Sequence, residues 1–103
     1  MVHDATEEVI REVFSREGEL TGPDKVAGFS WRATELAQAD EVVRMTMACR
    51  NIDSDTKGWF ALLVDSQRGD KHHVGRGSTA WEAVKRAHEL QRIFSARYDD
   101  RHP

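Results

Sequence analysis

The apolar residues of this chain change their spacing twice. Near the N-terminus Val9, Ile10, Val13 and Phe14 recur at the i, i+3, i+4 interval of a helix. Near the C-terminus Ala80, Ala83, Val84, Ala87, Leu90, Phe94 and Tyr98 form a second helical stripe. Between them the spacing shortens to two, and Trp59 to Asp65 is nearly continuous in apolar character, as a central strand would be. Each helical stripe needs an apolar surface to cover, and each half-apolar strand needs neighbours. The order therefore predicts an α+β fold: an antiparallel sheet of three or four strands, with an N-terminal and a C-terminal helix packed on one face. The other face is expected to lie open.

The first helix is expected over Ala5–Glu17, with Asp4 as N-cap and Glu7 reaching back to it. Glu7–Arg11 and Glu12–Arg16 make i, i+4 pairs on its outer side. Gly18 ends it, and Thr21-Gly22-Pro23-Asp24 reads as a turn. In residues 27–39, Phe29, Trp31 and Ala33 alternate with Ser30, Arg32 and Thr34, which suits a strand turning at Gln38–Asp40. Ser30 alternatively caps a short helix through Glu35, Leu36 and Gln38. Val43, Met45, Met47 and Cys49 alternate with Arg44, Thr46 and Arg50, predicting a half-buried strand over Glu41–Asn51. A polar loop over residues 51–56 leads to the strand Trp59–Asp65. Ser66-Gln67-Arg68-Gly69-Asp70 is a hairpin turn, with Gly69 suited to a positive φ, and Lys71–Gly75 returns as the next strand. Thr79-Ala80-Trp81-Glu82 matches the S/T-x-x-E capping box and opens the last helix. Asp99 to Pro103 is expected to fray. There is no internal repeat, and 103 residues suit one domain.

A single cysteine, Cys49, excludes an intrachain disulfide and fits a reducing, cytoplasmic setting. No stretch approaches the ~18 apolar residues of a membrane span, and the first residues lack the basic-then-apolar order of a signal peptide. No membrane partner is expected. The net charge of −3 disfavours a dedicated nucleic-acid binder. Residues 1–40 carry nine acidic and four basic side chains; residues 41–103 carry nine acidic and eleven basic ones, with four of the five histidines. That split is either ordinary surface variation or one acidic and one basic face.

Gly75-Arg76-Gly77-Ser78-Thr79, followed by Glu82-Ala83 and Ala87, resembles the strand-to-helix junction of double-stranded-RNA-binding domains. The resemblance covers about residues 58–94 and implies a helix, three strands and a helix, with alanines seating the last helix close to the sheet. It also implies, as a possible partner, duplex nucleic acid. That family places lysines in the first turn of the last helix, where this chain has Thr79, Ala80, Trp81 and Glu82, and its first bases come a turn later at Lys85 and Arg86. Where the family carries a Gly-Pro-x-His loop, this chain has Asn51 to Lys57, with two aspartates and no such element. The resemblance thus implies the fold without its phosphate contacts.

The best candidate binding surface is a basic hairpin of Arg68, Lys71, His72, His73 and Arg76, with Arg44 and Arg50 beside it and Trp81 as an exposed interface anchor. The plainer reading is an edge strand guarded by charge against aggregation. His72 and His73 are adjacent in a strand, point to opposite faces and do not chelate one metal together. No H-x-x-x-H, C-x-x-C or H-E-x-x-H spacing is present, so no metal or other cofactor is expected. Cys49 reads as a buried small hydrophobe. Asp53, Asp55, Asp65 and Asp70 read as turn residues, since no EF-hand glycine or closing glutamate follows Asp53-x-Asp55.

These features predict a small non-enzymatic binding or regulatory protein, monomeric or homodimeric, whose partner is another protein. Such a short, motif-free chain resembles in style the accessory proteins of phages and mobile elements, including anti-CRISPR inhibitors of bacterial defence. The rival expectation is a nucleic-acid-binding module of the double-stranded-RNA-binding type.

Overall fold

The computed structural model describes residues 2–16, 20, 22–52 and 56–101, and the side chains of residues 2–7 lie outside that description. The chain runs α1 (Val2–Ser15), β1 (Asp24–Val26), β2 (Phe29–Glu35), a 3-10 turn (Leu36–Gln38), α2 (Glu41–Cys49), β3 (Trp59–Asp65), β4 (Lys71–Gly77) and α3 (Ala80–Arg101). The strands form one antiparallel sheet in the order β1-β2-β3-β4. Both β1 and β4 are edges.

Register decides the two faces. Trp31 pairs with Leu63 and Leu63 with His73; Ala33 pairs with Ala61 and Ala61 with Gly75. That face receives Val9 and Val13 from α1 and Ala83, Val84 and Ala87 from α3, closing one buried cluster with Phe29, Trp31, Ala33, Ala61 and Leu63. The N-terminal and C-terminal helices thus share a face, as each apolar stripe requires.

Gly75 lets α3 sit unusually low on β4. A Cβ there would stand 2.0 Å from the Ala83 carbonyl oxygen and 2.5 Å from the Ala87 amide nitrogen. The G-x-G stretch is therefore a notch for a helix backbone, and the alanines opposite are small for the same reason. The capping box forms with its return arm displaced by one residue. Thr79 Oγ1 accepts from the Glu82 N–H at 3.2 Å, while the Glu82 carboxylate accepts from the Ser78 N–H at 2.9 Å and from its hydroxyl at 2.7 Å. Those bonds hold the Glu82 carboxyl below its ordinary pKa.

Several expectations need correction. Residues 41–49 are helical. Positions 43 and 47 satisfy both a period of two and a period of 3.6, and the local chemistry favours the helix. Asp40 caps it by accepting from the Val43 N–H at 3.1 Å, and Val43 and Met47 bury against Leu36, Ala39 and Phe60. Because α2 lies on the second face, that face is covered rather than open, and Phe60 is 0 % exposed. Met45 (60 % exposed) and Cys49 point outward, so the predicted burial of Cys49 fails.

The first helix begins at Val2, placing Asp4 within its first turn instead of at a cap. The expected reach of Glu7 back to Asp4, the stop at Gly18, the Thr21 position of the turn, and the readings of Asp53 and Asp55 lie outside the described residues. The segment 99–101 continues α3 instead of fraying, because Asp99 is held by Arg68. Phe29–Glu35 is a strand as preferred, and Gly69 has φ +72°. Where the resemblance implies three strands between two helices, the described residues show four strands, with α2 inserted after β2. No helix among them is long and apolar enough to cross a membrane.

Candidate binding cleft along β4

A polar clamp beneath the sheet's helical face sets the geometry of the β3–β4 hairpin. Asp65 closes β3 and is 0 % exposed. Its carboxylate accepts from Arg68 Nη1 at 3.0 Å, from Gln91 Nε2 at 3.0 Å and from the Gln67 N–H at 3.1 Å. Arg68 turns its other edge to Asp99 on α3, with Nε and Nη2 each 3.0 Å from a carboxylate oxygen. The bond to Asp99 raises the Arg68 pKa above its ordinary value, burial opposes it and Asp65 adds to it. A fork-shaped donor holding two carboxylates is a geometry that Arg provides and Lys does not. The clamp fastens the hairpin to the far end of α3.

Above the clamp, β4 and α3 frame a cleft of about 590 Å³. Lys71, His72, His73, Val74 and Arg76 form its floor. Arg86, Leu90, Ile93, Phe94 and Arg97 descend from α3 on one side, and Arg50 and Ile52 follow α2 on the other. Among the described residues that line it, five are Lys or Arg and none is Asp or Glu. Ile93 is 53 % exposed, giving the wall an apolar strip between cations. The Lys71 ammonium lies 5.4 Å from the centre of the Phe94 ring, a cation–π contact that steadies the flexible lysine. Arg86 also holds Glu89 at 3.4 Å across an exposed pair, which is weak and screened.

The sequence-derived set is only partly brought together here. Lys71, His72, His73 and Arg76 line the cleft, and Arg50 joins them as expected. Arg68 does not: it is buried in the clamp. His72 and His73 point to opposite faces, as strand geometry requires; His72 is exposed and His73 is 4 % exposed beside Phe94. Arg44 lies with Leu36, Ala39 and Met47 on the far side of α2. Trp81 is half-buried and meets Phe14 edge-on at 4.7 Å, between α3 and α1 and outside the cleft.

Sequence reasoning missed Arg86, Arg97, Leu90, Ile93 and Phe94 as cleft residues. The signal was present: Arg86, Leu90, Ile93 and Arg97 recur at i, i+4, i+7 and i+11, one side of α3 adjoining its buried stripe.

Below the cleft, burial lowers the His73 pKa to about 4, with Lys71 and Arg50 acting in the same direction and Asp65 opposing them. His88 is also lowered to about 4, first by burial and then by Arg92, and its ring stacks on Trp31 at 6.0 Å. Both histidines are neutral at pH 7 and add no charge to the cleft. Among the described residues no group of three His, Cys, Asp or Glu side chains is placed to hold a metal ion. Chemically, the arrangement offers point and forked cations around an apolar strip, which suits carboxylate or phosphate ligands.

Comparison with known protein families, with curated proteins and with solved structures finds no match to this chain.

Proposed function

We propose that this chain is a non-enzymatic binding protein that acts by holding an acidic segment of another protein in the cleft along β4. The observation that carries this reading is the lining itself: among the described residues, five Lys and Arg side chains, no carboxylate, and an exposed apolar strip beside an edge strand. A lining whose described Lys and Arg residues gather on one edge of a chain of net charge −3 concentrates positive potential locally, and that steers acidic partners and selects among them. Leu90, Ile93 and Phe94 supply the apolar contact that distinguishes a protein segment from a bare phosphate backbone. A regulator of this kind occupies a partner instead of transforming it. An inhibitor of bacterial defence, of the anti-CRISPR sort, would work in this way.

The nucleic-acid reading draws on the same cations. Against it, the first turn of α3 presents Glu82 and no lysine, and the cations lie on the sheet edge and on the side of that helix facing the cleft.

The test is retention from a nuclease-treated bacterial lysate on immobilised protein, beside a Lys71→Glu/Arg76→Glu/Arg97→Glu variant with an unchanged circular dichroism spectrum. The reading expects protein retained by the wild type after nuclease and released by the triple variant. It fails when the two retain the same material, or when nuclease removes everything retained.

A further inference from the structure

We infer that the acidic segment binds as a fifth β-strand, added to the free edge of β4 with carboxylates at alternate positions. The inference rests on the reading above and specifies how the cleft recognises its ligand.

The backbone of β4 sets the geometry. Arg50 Nη2 donates to the carbonyl oxygen of His72 at 2.9 Å. The Leu36 N–H donates to the Gly58 carbonyl at 2.9 Å, which turns Gly58 toward β2 and so turns Trp59, Ala61, Leu63 and Asp65 toward their β4 partners Gly77, Gly75, His73 and Lys71. In an antiparallel ladder successive residues turn their N–H and C=O groups alternately toward one neighbour and the other. The outward His72 carbonyl therefore places the N–H and C=O groups of His72, Val74 and Arg76 on the free edge, while Lys71, His73, Gly75 and Gly77 face β3. Three consecutive donor–acceptor pairs lie along the floor of the cleft. Strand addition satisfies such pairs and takes its affinity from the main chain, leaving side-chain pockets to supply specificity.

The two walls differ, and a strand's alternation reads that difference. Residues opposite His72, Val74 and Arg76 share their face of the sheet, where Arg50, His72 and Arg76 gather. Arg76 Nε is shielded there without a hydrogen-bond partner, a donor suited to a carboxylate. Residues opposite His73 and Gly75 turn the other way, toward Leu90, Ile93 and Phe94. The recognised pattern is acidic, apolar, acidic, apolar, with the acidic set donating its N–H groups to β4. Arg50 releases the His72 carbonyl when the strand arrives and turns to a ligand carboxylate.

A second copy of this chain is the poorer occupant. Antiparallel pairing of two β4 edges would bring the Lys and Arg side chains of one cleft against those of the other, and like charges brought together destabilise such a pairing. The other edge, β1, has three residues and an Arg16–Asp24 ion pair beside it.

The test uses a fluorescein-labelled peptide of sequence Glu-Val-Glu-Ile-Glu-Val-Glu in three forms: unmodified, N-methylated on the glutamates, and N-methylated on the aliphatic residues. Each is titrated into the full chain at low ionic strength by anisotropy, with amide hydrogen exchange of His72, Val74 and Arg76 as a second readout. The inference expects the unmodified and aliphatic-methylated peptides to bind within about threefold of one another. It expects glutamate methylation to weaken binding at least tenfold, and the unmodified peptide to slow exchange at all three amides. Equal binding of all three forms with unchanged exchange overturns strand addition and leaves an acidic ligand held by charge alone. Failure of every acidic peptide to bind, or binding of duplex RNA at the cleft in their place, overturns the proposed function as well.

Discussion

Replacing Gly75 by alanine tests the seat of α3 on β4, from which the cleft wall is built. The added methyl meets backbone, not a yielding side chain. The Ala83 carbonyl oxygen would have to retreat from 2.0 Å to beyond 3.0 Å, and the Ala87 nitrogen from 2.5 Å. Lifting a helix off a packed sheet in this way is overpacking, which costs about 1–3 kcal/mol and occasionally more. With two backbone contacts violated and Ala83 and Ala87 wholly buried, Gly75→Ala belongs at the upper end, about 3 kcal/mol. At 4–8 °C per kcal/mol for a domain of this size, that is a fall in Tm of roughly 12–24 °C.

Two other glycines calibrate the measurement. Gly69 has φ +72° and nothing within 4 Å, so its alanine bears only the left-handed backbone cost, about 1–2 kcal/mol. Gly22 has neither constraint, and its alanine should fall within about 0.5 kcal/mol of wild type. Urea denaturation followed by circular dichroism and tryptophan fluorescence reads all three. A Gly75→Ala cost smaller than that of Gly69→Ala would refute the close seat, and with it the position of the α3 wall.

Other predictions follow from the clamp, the histidines and α2. Arg68→Met leaves Asp65 buried without its cation and should lower stability by about 3–5 kcal/mol in urea, whereas Lys71→Gln should change it by less than about 0.5 kcal/mol. Equal effects would return Arg68 to the binding surface. His73 and His88 have folded pKa values depressed from 6.5 to about 4, so the unfolded chain binds more protons between those values. Stability is therefore full above pH 6.5 and falls as pH drops toward 4; the urea midpoint should decline from pH 7 to pH 5, and His88→Leu should flatten that slope. A midpoint independent of pH over this range would contradict the buried neutral pair. Cys49 is exposed on a helix, so a thiol reagent should modify it at a rate near that of the urea-unfolded chain; strong protection would support the strand first expected there.

The elements most legible in the sequence were those where one period alone fits. Trp59–Asp65 is too short and too continuously apolar for a surface helix, and Thr79 with Glu82 marks a helix start by local hydrogen bonding. Residues 41–49 were misread because Val43 and Met47 serve both periods. The deciding facts were the Asp40 cap and the run Ala39, Val43, Met47 at intervals of four. The same error hid the covering of the second sheet face.

Arg68 looked like one more hairpin cation because sequence shows charge but not its partner. Asp99, 31 positions away, is brought beside it only once α3 is complete. The buried end of α3 is polar for the same reason. His88, Gln91 and Ser95 are buried where Leu90, Phe94 and Tyr98 were expected: His88 stacks on Trp31, Gln91 donates to Asp65, and the Ser95 hydroxyl donates to the Arg92 carbonyl of its own helix. The cleft was half legible: β4's share lies in one segment, whereas the α3 share is recognisable only after the helix has been laid along the edge.

The most direct test of the central claim is an NMR titration of the 15N-labelled chain with oligoglutamate at low ionic strength. A cationic cleft that takes acidic chains predicts amide shifts confined to residues 71–76, Arg50 and the 86–97 side of α3, fading as salt is raised. Absence of shifts at low salt, or shifts centred on Val42 and Met45 or on Phe14 and Trp81, would contradict it.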